Sequence, residues 1–174
     1  AVRRGLSNYP STAECLPTYV QQKNIDLVLR HGIFTETELR ARYAIHLESY
    51  NKIVAIEART MLDMAIHQIL PAAMHYTKDL CDALVVKKSV GASCNAESLL
   101  VRNLSGHTDS LHDAIDTLRH ALENVPKQAE VAAMYYHDTI IPGMNALRVE
   151  ADILEAMTAK SYWPYPTYSD LLFY

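Results

Sequence analysis

Apolar side chains recur at three- and four-residue steps over most of this chain, the period of an amphipathic α-helix. In the longest such stretch the stripe runs through Tyr43, Leu47, Tyr50, Val54, Ala58, Met61 and Ala65, widened by Leu62, Ile66 and Ile69. From Glu36 to Leu70 a helix on this pattern is roughly 50 Å long, at about 1.5 Å per residue. Thr35 and Glu38 form a capping-box sequence at its start, with Phe34 placed as a hydrophobic staple. Pro71 should bend the helix, because its ring clashes with the carbonyl one turn back. The pattern then resumes to about Lys88 and stops around Gly91.

The most regular seam follows. Glu97, Val101, Leu104, Thr108, Leu111, Ile115, Leu118, Leu122 and Val125 alternate steps of four and three. Such a heptad seam suits a neighbour packed about 20° from parallel. Gly106 weakens it locally and Pro126 ends it. The connection is short, so the last helix, from about Lys127 to Lys160, should return antiparallel, kinked at Pro142 and Gly143. A first short helix is expected from about Thr18 to His31, with Val20, Ile25, Val28 and Leu29 inward and Gly32 just past its end. Residues 1–17 carry Gly5, Pro10 and Pro17 and read as an irregular linker. Strand signals are nearly absent. The expectation is an all-α antiparallel bundle of three to four helices over residues 18–160.

Residues 161–174 break the pattern. Trp163, Pro164, Tyr165, Pro166, Tyr168, Leu171, Leu172 and Phe173 crowd apolar and aromatic groups beside prolines at alternate positions. Those prolines favour extended backbone, so no helix is expected. A sticky extended segment normally fills a groove on its own fold or on a partner. Trp163, Pro164, Tyr165, Tyr168, Leu171, Leu172 and Phe173 are therefore the candidate docking residues.

Composition adds exclusions. With 174 residues, 49% of them hydrophobic and 21% charged, the chain has the make-up of a soluble globular domain. A net charge of −4 leaves no basic excess for nucleic acid. Lys87 and Lys88 suit a helix C-terminus. Cys15, Cys81 and Cys94 show no CxxC spacing, which favours a reduced, cytoplasmic setting. No apolar run is long enough to cross a bilayer. The start at Ala1, without Met, suggests a part of a longer polypeptide.

The search for chemistry returns little. Di-metal bundles need Glu-x-x-His on two helices, and zincins need His-Glu-x-x-His; neither occurs. Asp109, His112, Asp113, Asp116 and His120 share a helical face, but the seam through Leu111, Ile115 and Leu118 points away from them. A solvated polar face is the simpler reading. His67 and His75 flank Pro71 without a ligand pattern. Glu57 interrupts the long stripe and reads as an edge residue near Lys52 and Arg59. No Gly-rich phosphate loop is present. No catalytic, cofactor or metal residue is assigned.

Three blocks carry a resemblance. The first holds Arg4, Gly5, Leu6, Asn8, Lys23, Asn24 and His31 to Phe34. The second runs through Ile56, Glu57, Ala58, Thr60 to Ala65, and Ile69 to Ala72. The third holds Ile141, Pro142, Met144, Ala146, Leu147 and Arg148 and closes with the tail from Trp163 to Phe173. In this order they resemble the C-terminal region of type III glutamine synthetases. The resemblance implies a parent enzyme that joins ammonia to glutamate with ATP and Mg2+ or Mn2+. It also implies an upstream catalytic domain on the same polypeptide and a dodecameric assembly in the cytoplasm. This chain would be the non-catalytic helical part, with a structural, assembly or regulatory role. The alternative is a free-standing bundle that binds a metal or small molecule through the residues around His112 and His120.

Overall fold

The computed structural model describes residues 2–166 and 168–172, and every regular element among them is helical. The α-helices are α1 (Thr12–Cys15), α2 (Gln22–Arg30), α3 (Glu36–Met64), α4 (Leu70–Ser89), α5 (Asn95–Glu123), α6 (Ala129–Tyr135), α7 (Ile141–Met157) and α8 (Tyr168–Leu172). The chain divides into two compact units. One comprises residues 1–58 and 121–142, the other 59–120 and 143–174.

Local chemistry sets the helix ends. At the start of α3 the Glu38 amide donates to Thr35 Oγ1 at 3.2 Å, and the Thr35 amide donates to Glu38 Oε2 at 2.8 Å. This is the reciprocal capping box. The bonds from Thr35 hold the Glu38 carboxyl below its ordinary range. Phe34 carries the Arg42 guanidinium 4.4 Å from its ring centroid, a cation–π contact. Gly32, at φ +61°, ends α2 in a Schellman motif: Ile33 N–H donates to Val28 O and Gly32 N–H to Leu29 O. Gly91, at φ +69°, ends α4 the same way through Ala92 to Lys87 and Gly91 to Lys88.

Pro71 and Pro142 do not end their helices. Ahead of Pro71 the backbone widens into a π turn, Ala65–Ile69, in which Leu70 N–H reaches back five residues to Ala65 O. Ahead of Pro142 the same turn recurs over Tyr136–Ile140, with Ile141 N–H on Tyr136 O. A proline removes one amide and crowds the carbonyl four residues back. The wider turn shifts the register by one residue, and helical bonding continues beyond the ring. Periodicity alone shows a bend at these points, not this register shift.

In the first unit, Ala13, Tyr43, Leu47 and Ala133 are buried together, with Leu16, Tyr19, Val20, Tyr50 and Ala129 packed against them. Residues 12–17 therefore belong to the core, where the sequence suggested an irregular linker, and Val20 packs inward as expected. They are helical because Ser11 caps α1: its Oγ accepts from the Glu14 amide at 3.2 Å and donates to Glu14 Oε2 at 2.9 Å. Leu16–Val20 continues as a 3-10 helix with Pro17 in its first turn. The expected helix from Thr18 is thus α2, which begins at Gln22 and buries only Ile25 fully; Leu29, expected inward, is exposed. Tyr43 donates to Glu130 Oε1 at 3.0 Å, and Asn51 Nδ2 donates to Ala129 O at 2.9 Å. Burial, with the Glu130 carboxylate accepting its proton, pushes the Tyr43 phenol up to about 12.

The second unit holds the heptad seam from Glu97 to Leu118. Leu104, Leu111, Ile115 and Leu118 of α5 are buried, as are Leu147, Ala151 and Leu154 of α7. Leu118 meets Gly143, while His107 Nδ1 lies 2.8 Å from Glu150 Oε2. As α5 descends from 118 to 107, α7 rises from 143 to 150, so these helices run antiparallel, as the short connection required. Lys87 pairs with Glu97 across the α4–α5 turn. Gly106 lies inside α5 with nothing within 4 Å of where a Cβ would stand. Gly106→Ala should therefore stabilise the protein by about 1 kcal/mol, which thermal unfolding would register as a rise of roughly 2–4 °C.

Candidate docking site at the C-terminal tail

The tail starts where α7 runs out. Tyr162 N–H donates to Ala159 O at 2.9 Å, a turn that swings the chain back along its own unit. Tyr162 then makes two contacts with α4. Its hydroxyl donates to Asp79 Oδ2 at 2.5 Å, and its ring lies 5.1 Å from that of Tyr76, tilted by 49°. Trp163 and Tyr165 are half-buried and meet edge to face, with centroids 6.4 Å apart. The Tyr165 hydroxyl is enclosed and has no hydrogen-bond partner among the described residues. Burial first, and the Asp63 carboxylate second, push its phenol up.

Beyond Pro166 the structure departs from the expectation. Residues 168–172 form α8 rather than extended chain. No proline follows Pro166, so the helix is free to start after it. Lys160 pairs with Asp170, tying α8 back to the turn. Pro164 is exposed, and Leu171 and Leu172 are 64% and 63% exposed. The Tyr168 side chain and Phe173 lie outside the described residues. The candidate residues thus divide: Trp163 and Tyr165 are half-buried, and Leu171 and Leu172 face solvent. Sequence reasoning missed Tyr162, Tyr76 and Asp79. No spacing rule links a tail tyrosine to an acid on a distant helix.

The Tyr162–Asp79 bond makes this contact sensitive to pH. Hydrogen bonding from Tyr162 holds Asp79 below its ordinary 3.8, and the same bond, with burial, holds Tyr162 above its ordinary 10.0. The Asp79 contribution is present above pH 3.8 and is lost as pH falls through its lowered folded value. The Tyr162 contribution is present below pH 10.0 and is lost as pH rises through its raised folded value. Thermal unfolding of the wild type and Tyr162→Phe should therefore differ most between these limits, and the curves should converge at both extremes.

The other candidates stay apart. His112 Nδ1 is 3.5 Å from Asp116 Oδ2, and Arg119 takes the other Asp116 oxygen at 2.8 Å. His112 is exposed, and this face reads as solvated ion pairs. His67 pairs with Asp63 at 2.9 Å. Glu57 is exposed, and Lys52 pairs instead with Glu48 at 3.3 Å. Among the described residues no three His, Cys, Asp or Glu side chains converge as metal ligands would. A groove of about 390 Å³ in the first unit is lined by Arg40, Tyr43, Leu47, Glu48, Gln128 and Glu130, among others. Several of its polar groups have partners: Arg40 with Glu36, Tyr43 with Glu130, and Glu48 with Lys52. No helix among the described residues is long and apolar enough to cross a membrane.

Comparison with known proteins decides the family. The model of the glutamine synthetase C-terminal domain matches residues 1–88. The chain belongs to the glutamine synthetase C-terminal domain family. A glutamine synthetase of Butyrivibrio fibrisolvens is 35% identical over 99% of this chain and 25% of its own length. A type-3 glutamine synthetase of Dictyostelium discoideum is 30% identical, and a glutamine synthetase of Bacteroides fragilis (strain YCH46) 29%, with the same shares covered. This C-terminal domain thus spans about a quarter of the length of the curated relatives it matches. The family model takes in the first two sequence blocks; the third, with the tail, lies within the alignments to the relatives.

Proposed function

We propose that this domain is the non-catalytic helical part of a type III glutamine synthetase and serves its assembly. The observation that carries the reading is the pairing of family membership with a fold whose polar clusters are spent on caps and ion pairs. The parent reaction is the ATP-dependent ligation of ammonia to glutamate. ATP and Mg2+ or Mn2+ belong to an upstream catalytic domain of the same polypeptide, in a cytoplasmic oligomer, a dodecamer by the family resemblance.

Within that enzyme the tail has two jobs. Tyr162, Trp163 and Tyr165 clip it to its own helices, and α8 then offers Leu171 and Leu172 to a neighbouring subunit. The free-standing metal-binding alternative gains no support from the scattered His and Asp positions. The test is a glutamine-formation assay with glutamate, ammonia and ATP–Mg2+. The full-length polypeptide should turn over, and residues 1–174 alone should not. Turnover by the isolated chain would overturn the reading.

A further inference from the structure

Residues 3–10 form a continuous exposed run. Every described side chain from Arg3 to Pro10 is exposed, including Leu6 at 62% and Tyr9 at 45%. Core packing begins only at Ala13, which is 1% exposed. Yet the segment has a defined local shape. Val2–Arg4 is a turn of 3-10 helix, and Gly5 follows at φ +71° with nothing within 4 Å of a Cβ position. Gly5 is therefore required by backbone conformation, not by a neighbour of its own domain. The family model includes these residues, so they are part of the domain's sequence although their side chains lie outside its core. A shaped segment with two large apolar side chains in water marks an interaction surface.

The occupant follows from length and charge. The relatives are about four times as long as this chain, which matches a quarter of each. Resting on the proposed function, the polypeptide that precedes Arg3 is the nearest large surface, and it is covalently held at high effective concentration. We infer that residues 3–10 are a docking strap that seats Leu6 and Tyr9 in an apolar recess of the upstream domain, rimmed by carboxylates that receive Arg3 and Arg4. The two aliphatic and aromatic anchors supply the buried area, and the arginines fix register on the rim.

The experiment uses the full-length polypeptide and follows limited proteolysis at the junction, with mass spectrometry of the fragments. Leu6→Ser/Tyr9→Ser should speed release of the C-terminal fragment tenfold or more. Arg3→Glu/Arg4→Glu should speed it several-fold, with the effect shrinking in high salt. Val85→Ser/Val90→Ser, which alters exposed apolar groups elsewhere, should cleave like the wild type. If Leu6→Ser/Tyr9→Ser is insoluble, the arginine variant decides alone. Cleavage at the wild-type rate in the strap variants, or equal acceleration in the valine control, overturns the strap. Ligase activity of the wild-type polypeptide is read in parallel. Its loss would count against the parent reaction, whereas the cleavage ratios report docking alone.

Discussion

Leu118→Ala is expected to cost about 2–5 kcal/mol of stability, because Leu118 is fully buried in the α5 seam. The site also has a close neighbour whose size can be changed. A Cβ on Gly143 would stand 3.3 Å from Leu118 Cδ1, tight enough that Leu118 must yield. Gly143→Ala sets a helix-propensity gain of about 1 kcal/mol against that squeeze, so its net effect should be small. Gly143→Leu overpacks and should cost about 1–3 kcal/mol. The two large changes should not add. Leu118→Ala opens room where Gly143→Leu needs it, so the double variant should be more stable than the sum of the singles predicts. Chemical denaturation of all four proteins checks this. Additive losses would mean that α7 does not press on α5 here.

The seam and the caps were legible in the sequence because each is written locally. Thr35 with Glu38, Gly32 and Gly91 need only neighbours in the chain to act, and α5 repeats its pattern over many turns. The Ser11–Glu14 box was equally readable, but Pro10 and Pro17 around it suggest a linker, and the helix it caps is short. The π turns before Pro71 and Pro142 were not readable, because periodicity shows that a proline disturbs a helix and not how the backbone absorbs it. The tail was read correctly as aromatic and incorrectly as wholly extended. Its prolines restrict only the residues at and before them, which leaves 168–172 free to coil. The contact of Tyr162 with Asp79 joins positions 83 residues apart, and nothing local announces it.

Trp163→Ala should be the most disruptive single change in the tail. The indole is half-buried against its own unit and meets Tyr165 edge to face. Full burial of a large side chain is worth about 1.5–3 kcal/mol, so partial burial should cost roughly 1–2 kcal/mol when lost. Tyr165→Phe should do the opposite. Its hydroxyl is enclosed without a partner, and removing it relieves a desolvation penalty of about 1 kcal/mol or more. A lower melting temperature for Trp163→Ala with an equal or higher one for Tyr165→Phe fits a tail clipped to this domain. Two unchanged values would mean that the tail does not dock here.

The tail divides its labour between the clip at Tyr162 to Tyr165 and the outward-facing Leu171 and Leu172. Neither side chain is buried in this domain, so Leu171→Ser/Leu172→Ser should leave its unfolding unchanged. In the full-length polypeptide the same pair should meet a neighbouring subunit. Mass measurement of the purified full-length particle, with and without the double substitution, is the decisive comparison. The variant should form a smaller particle, while the isolated domain melts at the same temperature. A variant particle of wild-type mass, stable to dilution, would contradict it.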